Sequence, residues 1–299
     1  MALLVVGSVA FDCVETPHGK VDDAMGGSAS YFSYAASFFT QVRLVGVVGK
    51  DFPEKYKAVL RKHNIDMSGL EVADGKTFRW SGVYDETMNQ RTTRSVELNV
   101  FAKFDPKIPA RFRDTEYVFL ANGSPVMQKR VLDQMTRMKF AVADTMNHWI
   151  QDERPQLMEL MKHIDGIVVN DEEARMLTGL TNLVAAGRAI RKMGPRIVIV
   201  KKGEHGALLL GDGFFYAAPA YPLETVKDPT GAGDSFGGGM MGYLAETGDL
   251  SPANLKKAVL YGTVCASFTV EDFSLNRLQQ IERRDVDARY REFVEMLRV

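Results

Sequence analysis

Asp228-Pro229-Thr230-Gly231-Ala232-Gly233-Asp234-Ser235-Phe236, continued by Gly237-Gly238-Gly239, decides how this chain is read. Three small residues lead into a helix-compatible run over 235–247. Bare N–H groups at a helix N-terminus, with the positive end of the helix dipole, make a site for an anion such as a phosphoryl group. Glycine lets the backbone come close, because no Cβ stands between it and the ligand. An aspartate beside such a site is out of place if the loop only holds phosphate, since like charges repel. Asp234 fits if it takes a proton from a hydroxyl that then attacks phosphorus, while Gly231, Ala232 and Gly233 offer amides to the developing charge. The plainer reading, a helix start with an acid in its first turn, explains the aspartate but not the whole glycine-rich run.

Working outward, short apolar runs rich in β-branched residues recur at 3–9, 43–48, 117–120, 139–143, 166–169 and 196–201. Stretches of helical period occupy 28–39, 53–63, 125–138, 154–163, 171–178 and 183–193. This alternation predicts an α/β fold with a mostly parallel sheet covered by helices on both faces. The segment from about 66 to 104 breaks the pattern: Asp74-Gly75 signals a turn, and 76–83 and 91–100 read as inserted antiparallel strands. With no repeat or linker in sight, residues 1–299 are expected to form a single domain with a small β insert.

Two decoys fail. Gly69 and Gly75-Lys76-Thr77 nearly spell a P-loop, but the spacing is one residue too long and strand-like sequence follows where a helix is required. Gly7-Ser8-Val9-Ala10-Phe11-Asp12 lacks the second glycine of a dinucleotide-binding turn.

The bulk numbers narrow the function classes. With 45% hydrophobic and 25% charged residues and a net charge of −1, the chain reads as an ordinary globular protein, and neither nucleic acid nor a membrane surface is an expected partner. Cys13 and Cys265, the only cysteines, are expected to be buried thiols of a cytoplasmic protein. The apolar start reads as a first strand, since it lacks a basic region and is too short for a signal peptide. His18, His63, His148, His163 and His205 show no metal spacing; His148 follows a strand end and is the one placed to line a pocket.

The D-x-T-G-A-G-D run, with Gly26-Gly27, Gly49-Lys50-Asp51, Asn170-Asp171-Glu172-Glu173 and Lys202-Gly203-Glu204-His205-Gly206 in that order, resembles the ribokinase-like (PfkB) carbohydrate and nucleoside kinases. The resemblance spans most of the chain. It implies a ribokinase-like fold in which the 66–104 insert is a lid over the substrate. It also implies ATP and Mg²⁺, Asp234 as general base, and Asp12 binding two hydroxyls of the acceptor. Gly26 and Gly27 would expose amides to the substrate before a helix, though a plain turn explains them as well. Gly49 and Asp51 would serve the architecture of the pocket. The family often has an asparagine at the place of Tyr31 that contacts the sugar, so with Tyr31 among the substrate-binding residues a ribose-specific acceptor is less expected and a larger or more apolar one more so.

Asn170 and Glu173 would hold waters around Mg²⁺, although an asparagine N-cap with Glu at N3 explains the same sequence. Lys202, Gly203 and Gly206 would line the nucleotide, with Lys201 beside them, and 264–270 would end a helix near the adenine. Asp228 and Thr230 resemble positions that bind K⁺ in some members. Lid arginines Arg79, Arg91 or Arg94 would add charge on closure, or simply cover a solvated strand face.

The primary reading is therefore phosphoryl transfer from ATP to a hydroxyl of a sugar or sugar derivative. A nucleoside acceptor competes, because the lid aromatics Trp80, Phe101 and Phe104 could stack on a base or form lid core. A non-catalytic binding protein is the third reading, and a homodimer through the lid is a further expectation.

Overall fold

The computed structural model describes residues 1–298. From the N-terminus run β1 (Leu3–Val6), β2 (Ala10–Thr16), β3 (Gly19–Gly26), α1 (Ser28–Ser37), β4 (Val42–Gly49), α2 (Glu54–Lys62), β5 (Ile65–Ala73), β6 (Phe78–Tyr84) and β7 (Arg91–Glu97). The middle of the chain gives β8 (Tyr117–Leu120), α3 (Pro125–Leu132), β9 (Phe140–Asp144), α4 (Asn147–Asp152), α5 (Arg154–Met161), β10 (Gly166–Asn170), α6 (Asp171–Thr178) and α7 (Leu183–Arg191). Then follow β11 (Ile197–Lys201), β12 (Ala207–Gly211), β13 (Phe214–Ala218), α8 (Ala232–Thr247), α9 (Pro252–Thr269) and α10 (Arg283–Met296).

Nine strands form one sheet in the order β13-β12-β11-β10-β9-β8-β1-β4-β5. All its pairings are parallel except those of β12, which runs antiparallel to both neighbours. Side chains alternate between the two faces, as strand geometry requires. Leu3 and Val5 of β1 join the core beneath α1, α8 and α9, whereas Leu4 and Val6 join the core beneath α3 to α7. Both faces are thus buried, which is why the strands read as unbroken apolar runs.

Four strands make a second, smaller sheet in the order β3-β2-β6-β7. The insert expected over 66–104 supplies only half of it. Its first strand, Ile65–Ala73, lies on the edge of the large sheet in parallel register with β4. The other half of the small sheet is the β2–β3 hairpin, whose charged tip (Glu15, Lys20, Asp22, Asp23) hid the strand pattern. Asp12, expected just beyond the first strand, therefore sits inside β2. Cys13 beside it is not buried in apolar surroundings: it is half-exposed and its Sγ accepts from the Asp23 amide at 3.4 Å.

The glycine-rich helix α8 holds its shape despite residues that weaken a helix by about 1 kcal/mol each relative to alanine. They let backbones touch. A Cβ on Gly238 would stand 2.3 Å from the Phe32 carbonyl oxygen of α1, and one on Gly239 would stand 2.8 Å from the Tyr261 carbonyl of α9.

Candidate active site

The start of α8 is a left-handed turn at Gly231, φ 77°, with no side chain capping the helix. The Ala232 amide is spent on the Pro229 carbonyl at 3.1 Å. Among the described residues the amides of Gly231, Gly233 and Asp234 make no hydrogen bond, so these three form the open cradle, and Ala232 does not belong to it. Asp228 fixes the approach: its Oδ1 accepts from the Thr230 amide at 2.9 Å, and its own amide and that of Lys227 donate to the Val270 carbonyl where α9 ends. Asp228 is fully buried, and its Oδ2 has no hydrogen-bond partner among the described residues.

Asp234, in the first turn of α8, faces a crowd of carboxylates. Its pKa is raised to about 7, by burial first and by the charge of Asp144 next, with Lys201 opposing. Burial and the Asp228 charge likewise lift Asp12 to about 7, and burial and the Asp144 charge lift Glu173 to about 7. Burial pulls the Lys201 pKa down, but the charges of Asp144, Glu173 and Asp234 outweigh it and raise it above the ordinary lysine value.

Lys201 and Asp144 are the residues that motif reading undervalued. Lys201 Nζ lies 3.9 Å from Asp144 Oδ1 and only 2.7 Å from where a Cβ on Gly233 would be, so the ammonium sits directly over the cradle. A signal for both was present. Asp144, Asn170 and Lys201 are the last residues of three neighbouring parallel strands, β9, β10 and β11, and ligands in open α/β sheets gather at that edge.

Asn170 and Glu173 form a complete capping box. Asn170 Oδ1 accepts from the Glu173 amide and Glu173 Oε2 from the Asn170 amide, each at 2.7 Å. The other carboxylate oxygen of Glu173, Oε1, takes no part in the box. Lys202, Gly203 and Gly206 build a tight turn between β11 and β12, closed by the Lys202 amide on the Gly206 carbonyl at 2.7 Å. The Lys202 side chain is half-buried there and makes no ion pair among the described residues.

The small sheet closes over this edge. Tyr84 OH accepts from Thr230 Oγ1 at 3.3 Å, and Asn89 at the hairpin tip donates to Glu204 Oε1 of the 202–206 turn at 3.2 Å. Of the lid arginines, Arg79 pairs with Asp23 and Arg94 with Glu15, so both are lid struts. Arg91 has no carboxylate partner among the described residues; it lies over the Trp80 ring, 5.3 Å from its centre, and its charge reaches Asp12 and Asp234. Phe101 stacks between Phe78 and Phe104 and belongs to the lid root. Trp80 stays outside that stack: it pairs with Asp12 across β2 and β6, and its indole lies flat on Gly82, 2.3 Å from where a Cβ would be.

Gly26 and Gly27 do more than turn the chain. The Asp12 carboxylate rests on Gly26, and Gly27, φ 90°, precedes α1. Gly49 and Asp51 are architecture: the Gly49 amide and the Asp51 carboxylate both bond Thr77 Oγ1, tying β4 to the lid. Tyr31 donates to Asp12 Oδ2 at 3.3 Å but is only 1% exposed. His148 pairs with Asp152 on the exposed side of α4, away from the role allowed for it.

The profile of the pfkB family carbohydrate kinases matches residues 2–281. The chain is 30% identical to a cytidine kinase of Thermococcus kodakarensis, over 81% of this chain and 88% of that one. It is 29% identical to a nucleoside kinase of Methanothermobacter thermautotrophicus, over 90% and 89% of the two chains. Its fold superposes on the crystal structure of aminoimidazole riboside kinase from Salmonella enterica with a TM-score of 0.77, at 19% identity and covering 97% of this chain and 100% of that one. This chain belongs to the pfkB family of carbohydrate kinases. It is an ATP-dependent phosphotransferase acting on a hydroxyl of a sugar or nucleoside, and its family uses Mg²⁺ with the nucleotide.

Proposed function

We propose that this pfkB-family kinase phosphorylates a ribose hydroxyl of a nucleoside, with Asp234 as the base. The observation that carries the nucleoside reading over a free sugar is the cross-strand pair of Asp12 and Trp80 on one face of the lid. A carboxylate there suits a diol, and the half-buried indole beside it, packed on one side against Val14, Tyr84 and Phe273, suits a base. The similarity to cytidine and nucleoside kinases over most of the chain points the same way.

In the reaction, Asp12 holds neighbouring hydroxyls of the acceptor while Asp234 takes the proton of the attacking one. The hydroxyl oxygen then bonds to the γ-phosphorus, the bond from phosphorus to the β,γ-bridging oxygen breaks, and ADP leaves. The free amides of Gly231, Gly233 and Asp234 and the Lys201 ammonium face the oxygens on which charge builds. Mg²⁺, carried with the nucleotide, would neutralise phosphate charge, and the oxygen of Glu173 outside the capping box is the group here suited to orient its water. The unpartnered, buried Asp228 Oδ2, with Thr230 beside it, supports a K⁺ site that steadies the loop.

Intact cradle glycines and a retained base speak against a non-catalytic binding role. The open edge of β7, exposed along its length and carrying Val96 next to Leu98, supports pairing of two lids in a homodimer. A cytoplasmic setting accords with free thiols at both cysteines, and the near-neutral net charge gives no reason to add nucleic acid or membrane as partners.

The test is ATP consumption across cytidine, other nucleosides, pentoses, hexoses and sugar phosphates. A nucleoside is expected to give the highest kcat/KM, and Trp80→Ala to raise the nucleoside KM while sparing ribose. A free sugar turned over better than every nucleoside would overturn the reading.

A further inference from the structure

Tyr31 touches both the acceptor side and the phosphate side of the site. Its hydroxyl donates to Asp12 Oδ2 at 3.3 Å, and its ring lies against Gly231, where a Cβ would meet ring carbons at 2.3 to 2.5 Å. At 1% exposure it does not meet a substrate itself.

We propose that Tyr31 is a positioning residue: its phenol sets the rotation of the Asp12 carboxylate, and its ring backs the Gly231 turn that opens the cradle. The carboxylate has little freedom otherwise. It rests on Gly26, where a Cβ would stand 2.1 Å from Oδ2 and 2.5 Å from Oδ1, so it cannot withdraw in that direction. With the phenol on Oδ2, the orientation in which the carboxylate meets the acceptor is fixed. The phenol stays a donor throughout the working pH range, because burial first and then the charges of Asp12, Asp228 and Asp234 hold its pKa well above the ordinary tyrosine value. On the other side, Gly231 is in the left-handed region and admits no side chain against the ring, so the spacing between Asp12 and the cradle is set by one rigid aromatic group.

The inference rests on Asp12 being the acceptor-binding group, and its test separates the two claims. Steady-state kinetics are measured for Tyr31→Phe, Asp12→Asn and the double variant, with the best nucleoside of the panel above as acceptor. Tyr31→Phe keeps the ring and is expected to raise the acceptor KM about tenfold, the scale of a lost hydrogen bond to a charged group, with the ATP KM within about twofold. Asp12→Asn is expected to raise the acceptor KM further. Adding Tyr31→Phe to Asp12→Asn is expected to change nothing beyond about twofold, because the phenol acts through that carboxylate. Multiplicative effects in the double variant would mean a general structural role and overturn the proposal. A silent Tyr31→Phe beside a damaging Asp12→Asn would overturn it alone. A silent Asp12→Asn would remove the acceptor assignment and the proposal with it. For the ring, Tyr31→Leu is expected to lower kcat about tenfold below Tyr31→Phe, and equal kcat values would strike out the contact with Gly231.

Discussion

Lys201 is one ammonium among the carboxylates of Asp144, Glu173 and Asp234, directly above the cradle. If it grips the terminal phosphoryl group, Lys201→Met is expected to weaken binding of a non-hydrolysable ATP analogue at least tenfold while ADP binding stays within about threefold, as titration calorimetry would read. Equal losses for both nucleotides would mean that it only maintains the fold of the sheet edge. The pH profile makes a second test. A base must be unprotonated to act, so with Asp234 at about 7 the acceptor kcat/KM is expected to rise as pH increases towards 7 and to level above it. Asp144→Asn removes a charge that raises this pKa and should move the limb to lower pH, whereas Lys201→Met removes an opposing charge and should move it higher. Limbs that coincide in all three proteins would place the titrating group elsewhere. The proposed base was legible in the sequence because Asp234 stands inside a contiguous motif. Lys201 was expected along the nucleotide, but its partnership with Asp144 was not legible, because it is made by strands 57 residues apart (from 144 to 201) that meet only at one edge of the sheet.

At the scale of elements, the strand–helix alternation was readable because parallel strands buried on both faces are apolar throughout. The lid was half readable. The β6–β7 ribbon has aromatic and β-branched residues around a turn, but the β2–β3 hairpin alternates toward solvent with charges, and β5 joins a different sheet from its neighbour β6. Such assignments depend on partners distant in sequence. Close contact between α8 and α1 gives a prediction here. Gly238→Ala gains about 1 kcal/mol of helix propensity, yet its Cβ would stand 2.3 Å from the Phe32 carbonyl oxygen and 2.9 Å from Ala35 Cβ. Backbone cannot yield as a flexible side chain would, so overpacking of about 1–3 kcal/mol is expected to win and Tm to fall. A stabilised variant would show that the helices separate easily. At the lid tip, Asn89→Asp sets a carboxylate against Glu204. Faster amide hydrogen exchange in β6 and β7 is expected, and unchanged exchange would show that this contact does not hold the lid.

Over the whole molecule, the site works against stability. Asp12, Glu173 and Asp234 titrate at about 7 when folded, against ordinary values of 3.8 to 4.5. Their folded forms prefer the proton, so their contribution is fully present below pH 4, falls as pH rises and is lost above 7. In the proposed reaction one of these carboxylates must be charged as base and another to hold the acceptor, and apolar layers on both faces of the large sheet supply the compensating burial. Replacing the base by its neutral isostere should therefore separate activity from stability. The most direct measurement is turnover and thermal unfolding of Asp234→Asn on one preparation at pH 8. The expected result is a kcat lower by about 10²–10⁴-fold, substrate KM values within about threefold, and a Tm higher by about 2–4 °C for each kcal/mol recovered. Retention of more than about a tenth of the wild-type kcat would contradict Asp234 as the base.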